Sequence, residues 1–248
     1  MLGIIGGSGL TQLSNLQAMR REAVRTPYGE PSGAVTLGKL NGREVAFIAR
    51  HGYGHTIPPH AVNYRANIWA LHSLGVERVV SVASVGGIRA DMKPGAIAVP
   101  HQIIDYTHGR RQTFFDGPDN PVTHVDFTHP YCEKLRQALQ RAAKAAGLPL
   151  LADGVYAATQ GPRLESAAEI NRLERDGADM VGMTGMPETG LAREIGLCYA
   201  TVAVIVNWAA GRGDSAEIVH LESIRAVLTE AIGTVRVLLE ALVEDDGG

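Results

Sequence analysis

Cysteine is scarce. Cys132 and Cys198 are the only two in 248 residues, and their separation fits no metal-ligand spacing. So few thiols make a reducing cytoplasm the simplest setting. No apolar run approaches the roughly 18 residues that span a bilayer. The opening MLGIIGGSGL has no basic start and no long apolar stretch before a small-residue cleavage site, so it does not read as a signal peptide. Net charge is only −3 and the isoelectric point about 6.3, so nothing marks the chain as a nucleic-acid binder. Repeats, low-complexity tracts and Ser/Pro-rich linkers are missing too, which predicts one domain over 1–248. What remains is ordinary for a packed globular chain: 45% hydrophobic and 20% charged residues, enough for a large core.

Short β-branched runs at 2–5, 45–48, 79–83, 96–99, 155–158 and 201–206 read as buried strands. Helical patterns lie between them at 61–73, 131–146, 166–176 and 186–195. In the last segment Leu221, Ile224, Leu228, Ile232, Val235 and Leu239 recur at three- and four-residue steps and share one helical face. The tail at 243–248 is expected to fray. Strands alternating with helices predict an α/β fold, a mixed central sheet flanked by helices on both faces. Ligands in such sheets bind where strands end. The places to inspect therefore follow residues 5, 49, 83, 159, 182 and 206.

Each of those places carries chemistry. Gly6-Gly7-Ser8-Gly9 can bring backbone N–H groups and a hydroxyl to an anion, but lacks the third glycine of a dinucleotide fingerprint and the Lys of a phosphate-binding P-loop. The stretch at 49–55 offers Arg50, whose planar fork suits phosphate, beside His51 and His55. Ala83 and Ser84 precede a Gly-Gly pair. Leu164 and Glu165 follow a Gly-Pro turn, Met183 and Thr184 follow the fifth strand end, and Asn207-Trp208-Ala209 the sixth. Each has an inert alternative: Glu165 as a helix cap, Met183 as core, Asn207 as a turn residue. The histidines form no metal-binding pattern, and neither a Ser-His-Asp order nor a G-x-S-x-G elbow occurs.

GIIGGSGL at 3–10, ARHGYGHTIPPHAVNYRANIWAL at 49–71, QGPRLES at 160–166 and GADMVGMTGMPETGLAREIGLCYA at 177–200 resemble the trimeric purine nucleoside phosphorylase and methylthioadenosine phosphorylase family over nearly the whole chain. The resemblance implies a nucleoside-phosphorylase-like fold, a homotrimer, and a pentosyl transfer in which phosphate splits the glycosidic bond of a purine nucleoside. It implies no metal or organic cofactor, phosphate being a co-substrate. By position it implies phosphate contacts from Ser8, Arg50, His51, Ala83, Ser84 and Thr184. Met183 and Tyr156 fall on the sugar side. The family's adenosine branch has Thr-Thr-Ala where this chain has Val82-Ala83-Ser84.

Two positions separate substrates. The adenine branch carries an Asp-x-Asp pair where this chain has Asn207 and Ala209, flanking Trp208. An amide can donate to a 6-oxo group and accept from N7–H, which makes Asn207 the expected catalytic residue. Glu165 stands where the 6-oxopurine branch has Glu and can accept from N1–H, while Leu164 can pack on the purine. On the sugar side, Leu221 replaces the His that bonds a 5′-hydroxyl in ordinary 6-oxopurine enzymes. Leu221 and Ile224 match the apolar wall of the methylthio branch, and His124 matches a residue supplied by a neighbouring subunit. The substrate satisfying both ends is 5′-methylthioinosine. The alternatives are a general inosine/guanosine phosphorylase, a methylthioadenosine phosphorylase, a nucleosidase using water, or a non-catalytic purine-binding module.

Overall fold

The computed structural model describes residues 1–118 and 121–245. Ten strands form one mixed sheet: β1 (Leu2–Gly6), β2 (Gln17–Glu22), β3 (Val35–Leu40), β4 (Arg43–Ala49), β5 (Arg78–Gly87), β6 (Ile97–Ala98), β7 (Gln102–Asp105), β8 (Val155–Ala158), β9 (Met180–Gly182) and β10 (Cys198–Trp208). Five helices cover it: α1 (Tyr64–Ser73), α2 (Glu133–Ala145), α3 (Ala167–Arg175), α4 (Gly185–Glu194) and α5 (Leu221–Asp245). The main path runs β2-β3-β4-β1-β5-β9-β8-β7, with β10 along β5 and β6 on β10.

Period-two alternation in the central strands sends successive side chains to opposite faces. Val80, Val82, Val202 and Val204 pack under α2 and α5 with Leu139, Val235 and Leu239. Val79 and Tyr199 face α1 and α4 with Ile68, Leu71 and Leu191. Among the described residues no helix is long and apolar enough to cross a membrane.

The key strand is β5. Parallel β10 occupies one edge along its whole length. On the other edge β1 pairs only from Arg78 to Ser81, and β9 joins antiparallel only at Gly86 and Gly87. Between those pairings the edge is left open, and the functional cavity forms there.

The six predicted strands are present, but four others carry no readable period. The outermost, β2, is QAMRRE with nearly every residue exposed. The expected loop after residue 83 is strand: β5 continues through Gly87 because Val204 and Ile205 of β10 keep pairing with Ser84 and Val85. The expected frayed tail is partly helix. Val243 is buried, and Asp245 pairs with Arg141 at 3.1 Å; 246–248 lie outside the described residues. The two cysteines, expected to sit in a reducing setting, form a disulfide with Cα atoms 5.1 Å apart. Sequence separation conceals this proximity, whereas the fold brings Cys132, just before α2, beside the start of β10, where its N–H donates to Tyr199 O.

Candidate active site

A cavity of about 430 Å³ opens at the uncovered stretch of β5. Its floor begins with the turn after β1. A side chain at Gly7 would put Cβ 2.4 Å from Val82 O and 3.0 Å from Arg50 Nη1. Only glycine lets that backbone pass so close to the cation.

Arg50 is fully buried. Nε and Nη2 grip the two oxygens of Glu188 at 2.7 and 2.9 Å; Nη2 also donates to Ser81 Oγ and Nη1 to Val82 O. Four of the five N–H groups are thus used, and one Nη1 hydrogen remains for a ligand. Glu188, equally buried, accepts from Ser81 Oγ and Tyr199 Oη as well. Burial opposes charge on both members, but their mutual attraction outweighs it: the Arg50 pKa is raised and that of Glu188 lowered. The cation is therefore permanent and fixed in place.

His51 behaves differently. Burial, then the Arg50 charge, push its pKa down to about 4. Its Nδ1 lies 2.8 Å from Ile57 O, so the neutral ring carries its proton on Nδ1 and leaves Nε2 as an acceptor. His55 Nε2 lies 2.9 Å from Ser8 Oγ, with His55 in the left-handed region at φ 50°. Ser84 comes from β5. Thr184 precedes α4 and its hydroxyl does not cap that helix. The cavity lining thus gathers Ser8, Arg50, Ser84 and Thr184, donors suited to a tetrahedral oxyanion, together with His51.

The lining also includes Leu164, Glu165, Asn207 and Ala209. Glu165 is no helix cap, since Ser166 and Glu169 form the capping box of α3. Instead Thr159 Oγ1 donates to its Oε1 at 2.6 Å, leaving Oε2 to accept from a ligand. Asn207 Nδ2 donates to Trp208 O at 2.6 Å. That bond orients the amide and leaves its oxygen and one N–H available. The lining also carries the apolar side chains of Val219, Ile224 and Leu228. Met183 also lines the cavity.

Five residues singled out from the sequence lie outside the lining. Ala83 is buried in the core, its backbone paired with Ala203. Tyr156 is fully buried behind the wall, where its hydroxyl accepts from the Thr184 N–H at 3.4 Å. Trp208 packs against Gly213. Leu221 is 64% exposed, and the apolar stripe of α5 lines the cavity only at Ile224 and Leu228. His124 is exposed on an irregular stretch. Conversely, Glu188, Thr159 and Val219 escaped the sequence reading. Only folding brings Glu188 to Arg50, and no local spacing announces it.

Comparison with known proteins agrees with this architecture. The phosphorylase superfamily profile matches residues 1–244. The chain is 52% identical to a Pseudomonas syringae pv. tomato protein named probable S-methyl-5'-thioinosine phosphorylase, over 236 residues and 95% of each chain. It is 47% identical to the 6-oxopurine nucleoside phosphorylase of Pyrococcus furiosus over 246 residues, 97% of this chain and 91% of the relative. Among solved structures, methylthioadenosine phosphorylase from Schistosoma mansoni in complex with adenine superposes with a TM-score of 0.94 at 31% identity, covering 100% of this chain and 92% of that one. Sequence and fold agree along the chain, which therefore belongs to the phosphorylase superfamily.

Proposed function

We propose that the chain catalyses phosphorolysis of 5′-methylthioinosine to hypoxanthine and 5-methylthioribose 1-phosphate, with phosphate as co-substrate and no metal or organic cofactor. The observation that carries the reading is the mixed lining of one cavity, which holds Glu165 and Asn207, the apolar Val219, Ile224 and Leu228, and an oxyanion-binding group; the reading assigns the first pair to the base and the apolar three to the 5′ substituent. The relatives named for S-methyl-5'-thioinosine support it.

Phosphate sits on the free Arg50 N–H and the hydroxyls of Ser8, Ser84 and Thr184. One of its oxygens bonds to C1′ as the C1′–N9 bond breaks, and the bonding pair leaves with the purine. The sugar passes through an oxocarbenium-like state, which the nearby dianion stabilises. N7 takes a proton from solvent, and Asn207 Oδ1 accepts from the resulting N7–H while its free N–H donates to O6. Glu165 Oε2 accepts from N1–H. Adenine lacks that hydrogen and would present a lone pair instead, a mismatch of on the order of 1–3 kcal/mol. The apolar wall takes the methylthio group and would leave a 5′-hydroxyl unpaired.

The trimer belongs to the same proposal. Leu164, Ile218 and Leu221 are exposed apolar residues next in sequence to the lining residues Glu165, Val219 and, three positions on, Ile224, and Val122 and Val125 are exposed beside His124. A second copy laying that stretch over these residues would close the cavity and bring His124 to it. A cytoplasmic setting is likewise proposed.

One observation favours a broader 6-oxopurine nucleoside phosphorylase as second reading: Leu221, the residue expected to exclude the 5′-hydroxyl, is outside the lining of the single chain. Incubating purified protein with 5′-methylthioinosine, with and without phosphate, and identifying the products tests the reaction type. Hypoxanthine and a sugar phosphate are expected only with phosphate. Cleavage unchanged without phosphate would make the protein a nucleosidase, and tight binding without cleavage would make it a binding module.

A further inference from the structure

Arg110 lies outside the cavity lining, on the irregular stretch between β7 and α2, yet it is bonded to three segments that build the cavity. Nε donates to Gln160 Oε1 at 3.1 Å. Nη1 reaches Met183 O at 2.8 Å, Met186 O at 2.6 Å and Tyr64 Oη at 3.3 Å. Nη2 reaches Gln160 O at 2.8 Å and Thr159 O at 3.3 Å. All five N–H groups of the fork are engaged. Its guanidinium also lies over the Tyr64 ring, 5.5 Å from the centroid.

Arg110 has no carboxylate partner among the described residues. Main-chain carbonyl dipoles and a ring face hold the cation instead, so its bonds fix loop positions rather than neutralise a charge. Thr159 and Gln160 lead directly into Pro162, Leu164 and Glu165 of the cavity wall. Met183 and Met186 bracket Thr184. Tyr64 donates in turn to Pro59 O, and Pro59 also lines the cavity. The first two segments touch: a Cβ on Gly161, which has φ +61°, would stand 2.4 Å from Met183 Sδ. Arg110 ties them together beside that contact.

We infer that Arg110 is a positioning residue that sets Met183 relative to Glu165, and so governs nucleoside binding and turnover without touching the substrate. The inference rests on the functional reading above in placing the sugar at Met183 and the base at Glu165. Of the phosphate contacts only Thr184 lies between Arg110's partners; Ser8 and Arg50 follow β1 and β4, Ser84 lies on β5, and none of the three bonds to Arg110, so phosphate binding should depend on it less than nucleoside binding does. Lysine cannot substitute, because an ammonium donates from one point and cannot span both loops.

The test is steady-state kinetics of Arg110→Lys and Arg110→Ala with nucleoside and phosphate varied separately. In both variants kcat/KM for the nucleoside should fall about 10- to 100-fold, as expected for a misplaced substrate. KM for phosphate should rise by clearly less than the nucleoside constant falls, about threefold at most, since Ser8, Arg50 and Ser84 keep their places and only Thr184 is loosened. Added ethylguanidinium should restore Arg110→Ala toward wild type and leave Arg110→Lys unchanged. Arg110→Lys with wild-type nucleoside constants would overturn the inference. So would a drop in kcat with both KM values unchanged and no rescue, the signature of a smaller folded fraction. If Arg110→Ala does not fold, Arg110→Lys decides alone. A wild-type protein that does not phosphorolyse nucleosides would instead defeat the functional reading, and this inference with it.

Discussion

Thr159 Oγ1 donates to Glu165 Oε1 at 2.6 Å. This bond holds the carboxylate, with one oxygen satisfied and the other left as a free acceptor. If Glu165 reads the base as proposed, Thr159 takes part in that recognition, although the sequence pattern does not mark it.

Replacing Thr159 by Val keeps the shape and removes the bond. The expected loss in kcat/KM on 6-oxopurine nucleosides is about tenfold, the equivalent of one hydrogen bond of about 1.4 kcal/mol. Discrimination against 6-amino substrates should shrink with it. Unchanged kcat/KM and unchanged discrimination would remove Thr159 from recognition.

Glu188 and Arg50 form the second relationship that folding creates. Both are buried, and removing one partner strands the other. Glu188→Gln should lower stability by about 3–5 kcal/mol, the usual cost of an uncompensated buried charge, and should raise KM for phosphate because the fork loses its anchor. Urea unfolding and phosphate titration check this. A variant with wild-type stability and wild-type phosphate KM would show that the ion pair positions nothing.

Much of the scaffold is legible along the chain because its cause is local. The run at 2–5 is apolar on both faces, the turn at Gly7 needs glycine for close approach, and α5 has an apolar stripe. Relationships across the chain have no such signature. Arg50 and Glu188 are 138 residues apart and Cys132 and Cys198 are 66 apart; neither spacing carries meaning until β5 and β10 pair. The strand β2 is polar and exposed, so no hydrophobic period marks it. Leu221 fits the apolar stripe of α5, but periodicity says which face a residue shares and not where along the helix the cavity begins.

His51 gives a stability–pH prediction. Its folded pKa, about 4, lies below the ordinary 6.5, so the unfolded ring takes up a proton that the folded ring refuses. The contribution is complete above pH 6.5 and is lost as pH falls toward 4. About 2 kcal/mol should be gone by pH 5. Urea unfolding at pH 7 and pH 5 should show this loss in the wild type and less of it in His51→Gln. Equal pH slopes in the two proteins would contradict the assignment.

The Cys132–Cys198 disulfide is directly measurable. Unreduced, denatured protein should show no reactive thiol. Reduction should cost on the order of 2–4 kcal/mol of stability, as for closure of a long loop. Two reactive thiols before reduction would show that the cysteines are unpaired in solution.

The central claim is that one cavity joins a 6-oxopurine end to a thioether end. The most direct measurement is kcat/KM in phosphate for 5′-methylthioinosine, 5′-methylthioadenosine and inosine on the same preparation. The account predicts that 5′-methylthioinosine exceeds each of the others by at least about tenfold, one unmatched buried polar group per comparison. Methylthioadenosine as the better substrate would contradict the roles of Glu165 and Asn207, and inosine as an equal substrate would contradict the role of the apolar wall.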